Sequence, residues 1–372
     1  MTPREKLKKI REELRQTFLE RSDLIDGVLS ALLCSQHVLI VGPPGTAKSM
    51  LADEMCRRLI GANYFQWLLT RFTTPEEVFG AVSLKALEQD DYRRVTSHKL
   101  PEAHIAFLDE IFKANSSILN AILTIINERI FHNGKDVVSV PLLTLFGASN
   151  ELPEDDELMA LYDRFLLRFV VSYIAEDFRF IRMLEASETP ERTIFRLEEL
   201  REMQSEVHDV HVPDYIYRTM ADIRRELGKK NIVASDRRYR QCLSLLQAHS
   251  YLSGENNVSE KDLFFLEHAL WRDPAEQPEV RSTIHELLLG YEWEVKELLY
   301  QSREMRDYAL RPWETNEMRA HALVEVHTKL RNILAKVDQI KEKAEKLGRP
   351  LDKVGAIQEE IKEIQQQMLE KF

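Results

Sequence analysis

The sequence has few cysteines and no long apolar run. Its three cysteines, Cys34, Cys56 and Cys242, are odd in number, far apart and without metal-binding spacing. We interpret them as small buried apolar residues of a protein in a reducing compartment. No apolar run approaches the ~18 residues that a membrane-spanning helix needs, and a charged amphipathic segment stands where a signal peptide would. The sequence therefore predicts a cytoplasmic protein without a membrane span.

The sequence also has no excess of positive charge. Lysine and arginine number 51 against 62 aspartates and glutamates, so the formal net charge is −11. Broad, non-specific binding of nucleic acid needs a basic face, and this balance argues against it. Apolar residues make up 44% and charged residues 30% of the chain, which is typical of a soluble globular protein. A length of 372 residues favours two or three domains over one.

A glycine-rich loop between a predicted strand and a predicted helix is the strongest motif. The apolar run 38–41 predicts the strand, and helical spacing begins at Met50. The loop runs through Gly42, Pro43, Pro44, Gly45, Thr46, Ala47, Lys48 and Ser49. Glycines let backbone N–H groups approach a polyphosphate, and the helix N-terminus adds further donors. We expect Lys48 to reach the terminal phosphates and Ser49 to bind Mg²⁺.

Ala47 departs from the usual form of this loop, which has glycine before the lysine. Alanine lacks the conformational freedom of glycine, so we expect φ of Ala47 to be below zero. The alternative interpretation of the whole stretch is an ordinary turn of glycine and proline between a strand and a helix.

Two further predicted strands end in polar residues. The apolar run 104–108 is followed by Asp109 and Glu110, and the run 142–148 is followed shortly by Asn150. Ligands of open parallel sheets lie beyond the carboxyl ends of the strands. We expect Asp109 to support Mg²⁺, Glu110 to orient an attacking water, and Asn150 to bind a γ-phosphate or that water.

Two insertions and one arginine complete the pattern of the α/β part. Residues 82–100 predict a hairpin with its turn at 89–91, and residues 131–138 predict a second hairpin with a type I′ turn at 133–134. Arg164 stands at the start of a last strand, 165–171, at the end opposite the loop. It is therefore suited to a neighbour's nucleotide, and the alternative is a surface salt bridge with Asp163.

From Asp177 onward the pattern is helical throughout. Residues 178–271 predict a lid, in which Ser235 caps a helix that carries Arg237 and Arg238 in its first turn. The tail predicts an antiparallel helical hairpin of coiled-coil spacing, interrupted at 348–350. The hairpin either packs in a helical bundle or docks a partner.

Taken together and in this order, these stretches resemble the MoxR family of AAA+ ATPases, and within it the RavA (regulatory ATPase variant A) type. The resemblance covers roughly residues 20–275, and the matching stretches are 42–49 with its alanine before lysine, 70–77, 107–110, 148–153 and 161–165. It implies an α/β fold with an AAA+ P-loop NTPase core and a five-stranded parallel sheet, then an all-α lid and a coiled-coil-like helical domain. The implied domains are 1–177, 178–275 and 276–372.

The resemblance also implies roles for polar residues beyond the loop. Asn150 matches sensor 1, Arg164 the arginine finger given to a neighbour, and Arg237 the sensor 2 arginine. Arg238 competes with Arg237 for that role, and Arg168 competes with Arg164. The two hairpins match the helix-2 insert and the pre-sensor-1 insert.

The function implied is ATP hydrolysis with Mg²⁺ by a ring, a hexamer by analogy, that remodels or matures protein complexes. Proteins with a von Willebrand factor A domain are expected partners. One alternative is a nucleic-acid motor, which would need basic hairpin tips. Another is a nucleotide-gated scaffold whose turnover matters little.

Overall fold

The structure, a computed structural model, describes residues 1–153, 155–185, 192–288, 291–313, 315–346 and 351–371. They form two compact units, residues 1–277 and 278–372. The three predicted domain ranges stay predictions, and the interruption predicted at 348–350 lies outside the described residues. None of the helices within these ranges combines the length and apolarity of a membrane span.

Strands and helices alternate along the first unit. Its strands are β1 (Val38–Val41), β2 (Leu59–Ile60), β3 (Tyr64–Leu68), β4 (Ile105–Asp109), β5 (Ile130–Asn133), β6 (Asp136–Ser139), β7 (Thr144–Ser149), β8 (Leu167–Val170) and β9 (Phe195–Arg196). Its helices are α1 (Pro3–Thr17), α2 (Ser22–Leu33), α3 (Lys48–Arg58), α4 (Pro75–Phe79), α5 (Leu84–Leu87), α6 (Ser116–Glu128), α7 (Asp156–Tyr162), α8 (Asp177–Glu185), α9 (Leu197–His208), α10 (Asp214–Lys229), α11 (Asp236–Ser253) and α12 (Glu260–Leu263). Short 3₁₀ helices cover Leu100–Glu102, Ile111–Lys113, Phe264–His268 and Pro274–Glu276.

Five parallel strands form the central sheet, in the order β3–β4–β7–β1–β8. β1 lies between β7 and β8, and its first residue, Val38, is level with Phe146 on one side and Leu167 on the other. All four residues of β1 are buried, because helices cover both faces of a parallel sheet and such strands are continuously apolar. The predicted fold class, an α/β core with a five-stranded parallel sheet, is confirmed.

The first insertion differs from the predicted hairpin. Residues 82–100 contain the short helix α5 and a single bridge between Val82 and Arg94, not two paired strands. Two backbone bonds flank this bridge: the Ser83 N–H donates to the Arg93 carbonyl at 2.7 Å and the Val95 N–H to the Ala81 carbonyl at 2.8 Å. The backbone N–H of Arg94 donates to Asn133 Oδ1 at 2.6 Å, and its carbonyl accepts from Asn133 Nδ2 at 3.1 Å. The second insertion therefore satisfies the two backbone groups of Arg94 that the bridge with Val82 leaves free.

The second insertion is the antiparallel hairpin β5–β6, as predicted, but with a different turn. Asn133 pairs with Asp136, so the two loop residues are Gly134 and Lys135. Gly134 has φ +65° and Lys135 is not among the residues of positive φ. A type I′ turn needs positive φ at both central residues, so the predicted Asn133–Gly134 type I′ turn is wrong.

The segment after β8 is helical except for one short strand. β9 pairs in parallel with β2, Leu59 with Phe195 and Ile60 with Arg196, which corrects the prediction of an entirely helical pattern from Asp177 onward. Two residues are too few for a periodic signal, and their pairing partner lies far away in the sequence. Helices α9, α10 and α11 follow as predicted.

The second unit is a helical bundle. Its helices are α13 (Gln277–Leu288), α14 (Tyr291–Leu310), α15 (Asn316–Lys346) and α16 (Asp352–Leu369). Apolar residues at three- and four-residue steps on α15 and α16 fill one core with residues of α14, as the coiled-coil spacing indicates. Val295, Leu330, Val337 and Ile361 are fully buried there.

Candidate functional site

The glycine-rich loop lies at the carboxyl ends of the sheet strands, which we call the loop end of the sheet; the opposite side is the far end. Gly42, Pro43, Pro44, Gly45, Thr46 and Ala47 form the loop, and Lys48 and Ser49 begin α3. A Cβ at Gly42 would lie 2.2 Å from the carbonyl oxygen of Val171, so only glycine fits. The Thr46 hydroxyl donates to the Pro43 carbonyl at 2.9 Å and fixes the loop internally.

Ala47 adopts the left-handed conformation, with φ +63° and ψ +25°. The expectation of negative φ is therefore wrong. The left-handed region costs an L-residue roughly 1–2 kcal/mol. Ala47 adopts it because α3 begins at the next residue and Lys48 turns back over the loop.

Lys48 points back into the loop and joins it to a neighbouring strand end. Its ammonium donates to the Gly42 carbonyl and, at 2.8 Å, to Asn150 Oδ1. Burial lowers the pKa of Lys48, and attraction to Asp109 and Glu110 opposes that effect. Two carboxylates therefore keep a largely buried cation charged at the point where the loop would hold phosphates.

Asn150 also connects the lysine to the predicted catalytic carboxylate. While its Oδ1 accepts from Lys48, its Nδ2 donates to Glu110 Oε1 at 2.6 Å. Lys113 lies 3.2 Å from the other oxygen of Glu110. Glu110 follows β4 and has a left-handed backbone conformation, with φ +52°. Its backbone N–H donates to Asp109 Oδ1 at 3.0 Å, and this bond holds the turn. The structure thus brings Lys48, Glu110 and Asn150 into one hydrogen-bonded chain.

The oxygens at the loop end suit a hard divalent cation. Ser49 offers a hydroxyl at the start of α3 and Asp109 a carboxylate at the end of β4, and Mg²⁺ prefers such oxygen ligands. Open space around Gly45, where an added Cβ would meet no atom within 4 Å, leaves room for a ligand beside the loop. The residues present fit ATP and Mg²⁺, with Ser49 and Asp109 as the metal-binding pair.

Arg164 lies at the far end of the sheet. It stands between α7 and β8, whose first residue, Leu167, is level with Val38, whereas the loop follows the last residue of β1. Its Nε is buried without a hydrogen-bond partner among the described residues. In the described part of the chain, no arginine side chain contacts Lys48, Glu110 or Asn150.

The two competing arginines are built into the interior of the unit. Arg168 is fully buried, its guanidinium lies over the Tyr162 ring, and it donates to the Trp271 carbonyl; burial lowers the pKa of Arg168 to about 9. Arg238 is 4% exposed and donates to the backbone carbonyls of Asp163, Phe165, Leu166 and Ala269. Both guanidinium groups are therefore held by the interior of the unit, and the two alternative assignments stay predictions.

Arg237 is exposed, but the structure does not bring it to the loop of its own chain. Its guanidinium donates to Asn127 Oδ1 at 3.4 Å. Asn127 lies in the last turn of α6, which starts after β4 at the loop end and returns to the far end, where β7 begins after the β5–β6 hairpin. This contact places Arg237 beside the far end, and its role as the sensor 2 arginine stays a prediction.

Two contacts of the site escaped the sequence interpretation. Lys113 pairs with Glu110 three residues earlier, and this spacing, which a 3₁₀ helix brings together, could have been recognised in the sequence. The Tyr173 hydroxyl donates to the Pro44 carbonyl at 3.3 Å, and no sequence pattern marks it, because the contact depends on where β8 ends beside the loop.

Two family models match the chain. One, described as the MoxR domain in MoxR-vWA-beta-propeller ternary systems, matches residues 5–209, and an AAA lid domain model matches residues 215–284. The first match contains every loop-end residue described above, as well as Arg164.

Relatives and a solved structure agree with these matches. Two uncharacterized proteins of Methanocaldococcus jannaschii are similar: MJ0079, 46% identical over 72% of this chain and 70% of its own length, and MJ0812, 44% identical over 79% of each. The chaperone MoxR1 of Mycobacterium tuberculosis is 27% identical over 43% of each chain. A crystal structure of a candidate ATPase from Cytophaga hutchinsonii has the same fold, with a TM-score of 0.61 at 15% identity over 77% of this chain and 94% of that one.

Proposed function

Because the chain belongs to the MoxR family of AAA+ ATPases, we propose that it hydrolyses ATP as a ring of several copies, a hexamer by analogy, and remodels or matures other protein complexes. The observation that carries the proposal is the hydrogen-bonded chain from Lys48 through Asn150 to Glu110. It connects a phosphate-binding cation to a carboxylate at the loop end. Placement within the RavA type stays a prediction.

The chain's own residues supply binding and proton transfer. Lys48 and the loop N–H groups hold the phosphates, and Asn150 holds Glu110 beside them. The Glu110 carboxylate accepts a proton from water as the water oxygen bonds to the γ-phosphorus and the bond to the β–γ bridging oxygen breaks, giving ADP and phosphate. Mg²⁺ held through Ser49 and Asp109 would supply positive charge to the phosphate oxygens.

The arginines of the reaction come from a neighbouring copy. Arg164 and Arg237 both lie at the far end of the sheet, away from their own loop. If the far end of one copy covers the loop end of the next, both guanidinium groups face the neighbour's phosphates. An arginine finger is worth ~10³–10⁵ in rate, so hydrolysis requires assembly. Arg237 thus becomes a second residue given to the neighbour.

The contact between two different surfaces determines the kind of assembly. A head-to-tail contact of this type closes into a ring when the rotation between copies permits. The matching family model describes MoxR domains of systems that contain a von Willebrand factor A protein, and we propose such a protein as a partner.

The structure gives no support to a nucleic-acid motor. Arg93 lies 2.6 Å from Asp136 and 3.2 Å from Asp91, and Arg94 lies 2.9 Å from Glu76. The two arginines of the first insertion are therefore paired with acids. A DNA-binding hairpin instead needs basic side chains available for phosphates.

Mixing two inactive variants tests the shared site. Lys48→Ala removes the phosphate-binding cation and Arg164→Ala removes the finger, so each variant alone should hydrolyse ATP at less than about a hundredth of the wild-type rate. In a mixture, the intact loop of an Arg164→Ala copy meets the intact Arg164 of a Lys48→Ala copy. We expect phosphate release to recover at intermediate mixing ratios.

The control replaces the Arg164→Ala partner with the double variant Lys48→Ala, Arg164→Ala, which leaves no intact loop in any copy and should never recover. Co-precipitation through a tag on one variant verifies that the copies mix. Mixed assemblies without recovery at any ratio would contradict the donation of Arg164 to a neighbour.

A further inference from the structure

A fixed turn at the loop end presents a phenylalanine to solvent. Phe72 is 91% exposed, although Leu69, just before its turn, and Thr73, the last residue of the turn, are 0% and 5% exposed. The turn follows β3, the strand at one side of the sheet, and precedes α4. Single exposed apolar residues are normal on a protein surface, whereas several on one surface mark an interaction site.

Hydrogen bonds hold the turn in this form. The Thr73 hydroxyl accepts from the Thr70 N–H at 2.8 Å, and the Phe72 N–H donates to the Thr70 hydroxyl at 3.2 Å. The Thr73 N–H donates to the Thr70 carbonyl at 3.1 Å. Residues 70–73 are thereby tied to one another, so the backbone of the turn is fixed at the position from which Phe72 projects.

The same turn is tied to the catalytic strand. The Leu69 N–H donates to the Asp109 carbonyl at 2.9 Å, and Asn115, the N-cap of α6, donates to the Thr73 carbonyl at 2.8 Å. Asp109 and Asn115 lie on either side of Glu110 in the sequence. The Phe72 turn is therefore part of the surface that borders the phosphate site.

Other exposed apolar residues share this end of the sheet. Met50 follows Ser49 at the start of α3 and is 52% exposed, Leu68 ends β3 and is 57% exposed, and Val170 ends β8 and is 47% exposed. Their positions, at two strand ends and in the first turn of α3, place them on the side that the proposed neighbour covers.

We propose that Phe72 is an anchor of the contact between copies of this chain, inserted into the far end of the neighbour that supplies Arg164. The inference rests on the proposed ring and adds the apolar contact that holds it. A second copy is the occupant because no arginine among the described residues of the same chain contacts Lys48, Glu110 or Asn150, and on the proposed function the copy that completes the site covers this same surface. Buried aromatic anchors dominate the binding energy of protein contacts.

Sedimentation velocity over a series of protein concentrations, with Mg²⁺ and ATPγS, tests the anchor. Phe72→Ala should raise the dissociation constant of assembly at least tenfold, which corresponds to about 1.4 kcal/mol. Phe72→Leu keeps an apolar side chain and should change the constant less than about threefold. Because Phe72 is exposed in one chain, all variants should bind a fluorescent ADP analogue with wild-type affinity, which also shows that they fold.

Tyr217→Ala provides a matched control, since Tyr217 is an exposed aromatic residue on α10, away from the strand ends. It should leave assembly unchanged. If Phe72→Ala assembles at the same concentrations as wild type, the anchor is overturned but the ring is not. The same holds if this variant assembles normally and loses only the stimulation of its ATPase activity by an unfolded polypeptide. A wild-type chain that stays monomeric at every concentration overturns the ring and the anchor together.

Discussion

The Asn150 carboxamide makes one hydrogen bond through its oxygen and one through its nitrogen, and these two bonds position Lys48 and Glu110 relative to each other. The oxygen faces a cation, Lys48, and the nitrogen faces an anion, Glu110. An aspartate would repel Glu110, and a hydrophobic residue would remove one hydrogen bond from each of the two partners. The strand-end position of Asn150 predicted its location from sequence, but the link between lysine and glutamate depends on the order of strands in the sheet.

Replacing Ala47 by glycine should stabilise the chain. The left-handed φ of +63° costs alanine roughly 1–2 kcal/mol, whereas the greater freedom of an unfolded glycine costs about 0.5–1 kcal/mol. We expect Ala47→Gly to raise the free energy of unfolding by up to about 1 kcal/mol with nucleotide affinity unchanged, as measured by denaturant unfolding and by titration with ADP.

Gly42→Ala is the matched opposite change. Its Cβ would lie 2.2 Å from a carbonyl oxygen, so this variant should lose both stability and nucleotide affinity. A loss of more than about 1 kcal/mol in Ala47→Gly would show that the alanine methyl group makes a stabilising contact that outweighs its strain. The sequence could not reveal the sign of φ at Ala47, because the course of the loop, not the residue type, sets it.

Among the elements, the two insertions depend on one buried side chain. Asn133 is 7% exposed and satisfies the backbone N–H and carbonyl of Arg94. Asn133→Ala would leave both groups without that partner, at a cost of roughly 1–3 kcal/mol. We expect hydrogen exchange to accelerate about tenfold or more at residues 91–95, while residues 38–41 of β1 keep wild-type protection.

Asp136→Ala is the control for that measurement. It removes an exposed ion pair with Arg93, which is worth about 0–1 kcal/mol, so exchange at residues 91–95 should change little. Equal exchange in Asn133→Ala and wild type would show that the first insertion holds its shape without the second.

Local sequence patterns predicted the elements whose structure is determined by their own residues. The apolar runs of β1, β4 and β7 are of this kind. The first insertion was mispredicted as a full hairpin, since only residues 81–83 and 93–95 pair and the remaining backbone groups of Arg94 bond to Asn133, about 40 residues away. The position of Arg237 beside Asn127 follows from the packing of α11, which no local pattern encodes.

For the whole molecule, the proposed function makes ATPase activity depend on protein concentration, because the loop and Arg164 lie at opposite ends of the sheet. If a neighbour supplies Arg164, ATP turnover per chain should rise with concentration and level off when assembly is complete. Steady-state phosphate release measured beside sedimentation should give the same midpoint within about twofold. Arg164→Ala should stay inactive at every concentration even where it assembles. Turnover per chain that is constant well below the assembly midpoint would show that one copy is sufficient.

Because the loop and Arg164 lie at opposite ends of the sheet, the number of complete ATP sites depends on whether the proposed assembly is closed or open. In a closed ring of n copies every loop receives an arginine, and all n sites are complete. In an open arc or spiral one loop has no neighbour, so only n − 1 sites are complete. Counting the nucleotides hydrolysed per chain in a single turnover would therefore distinguish closure from an open end without an image of the particle.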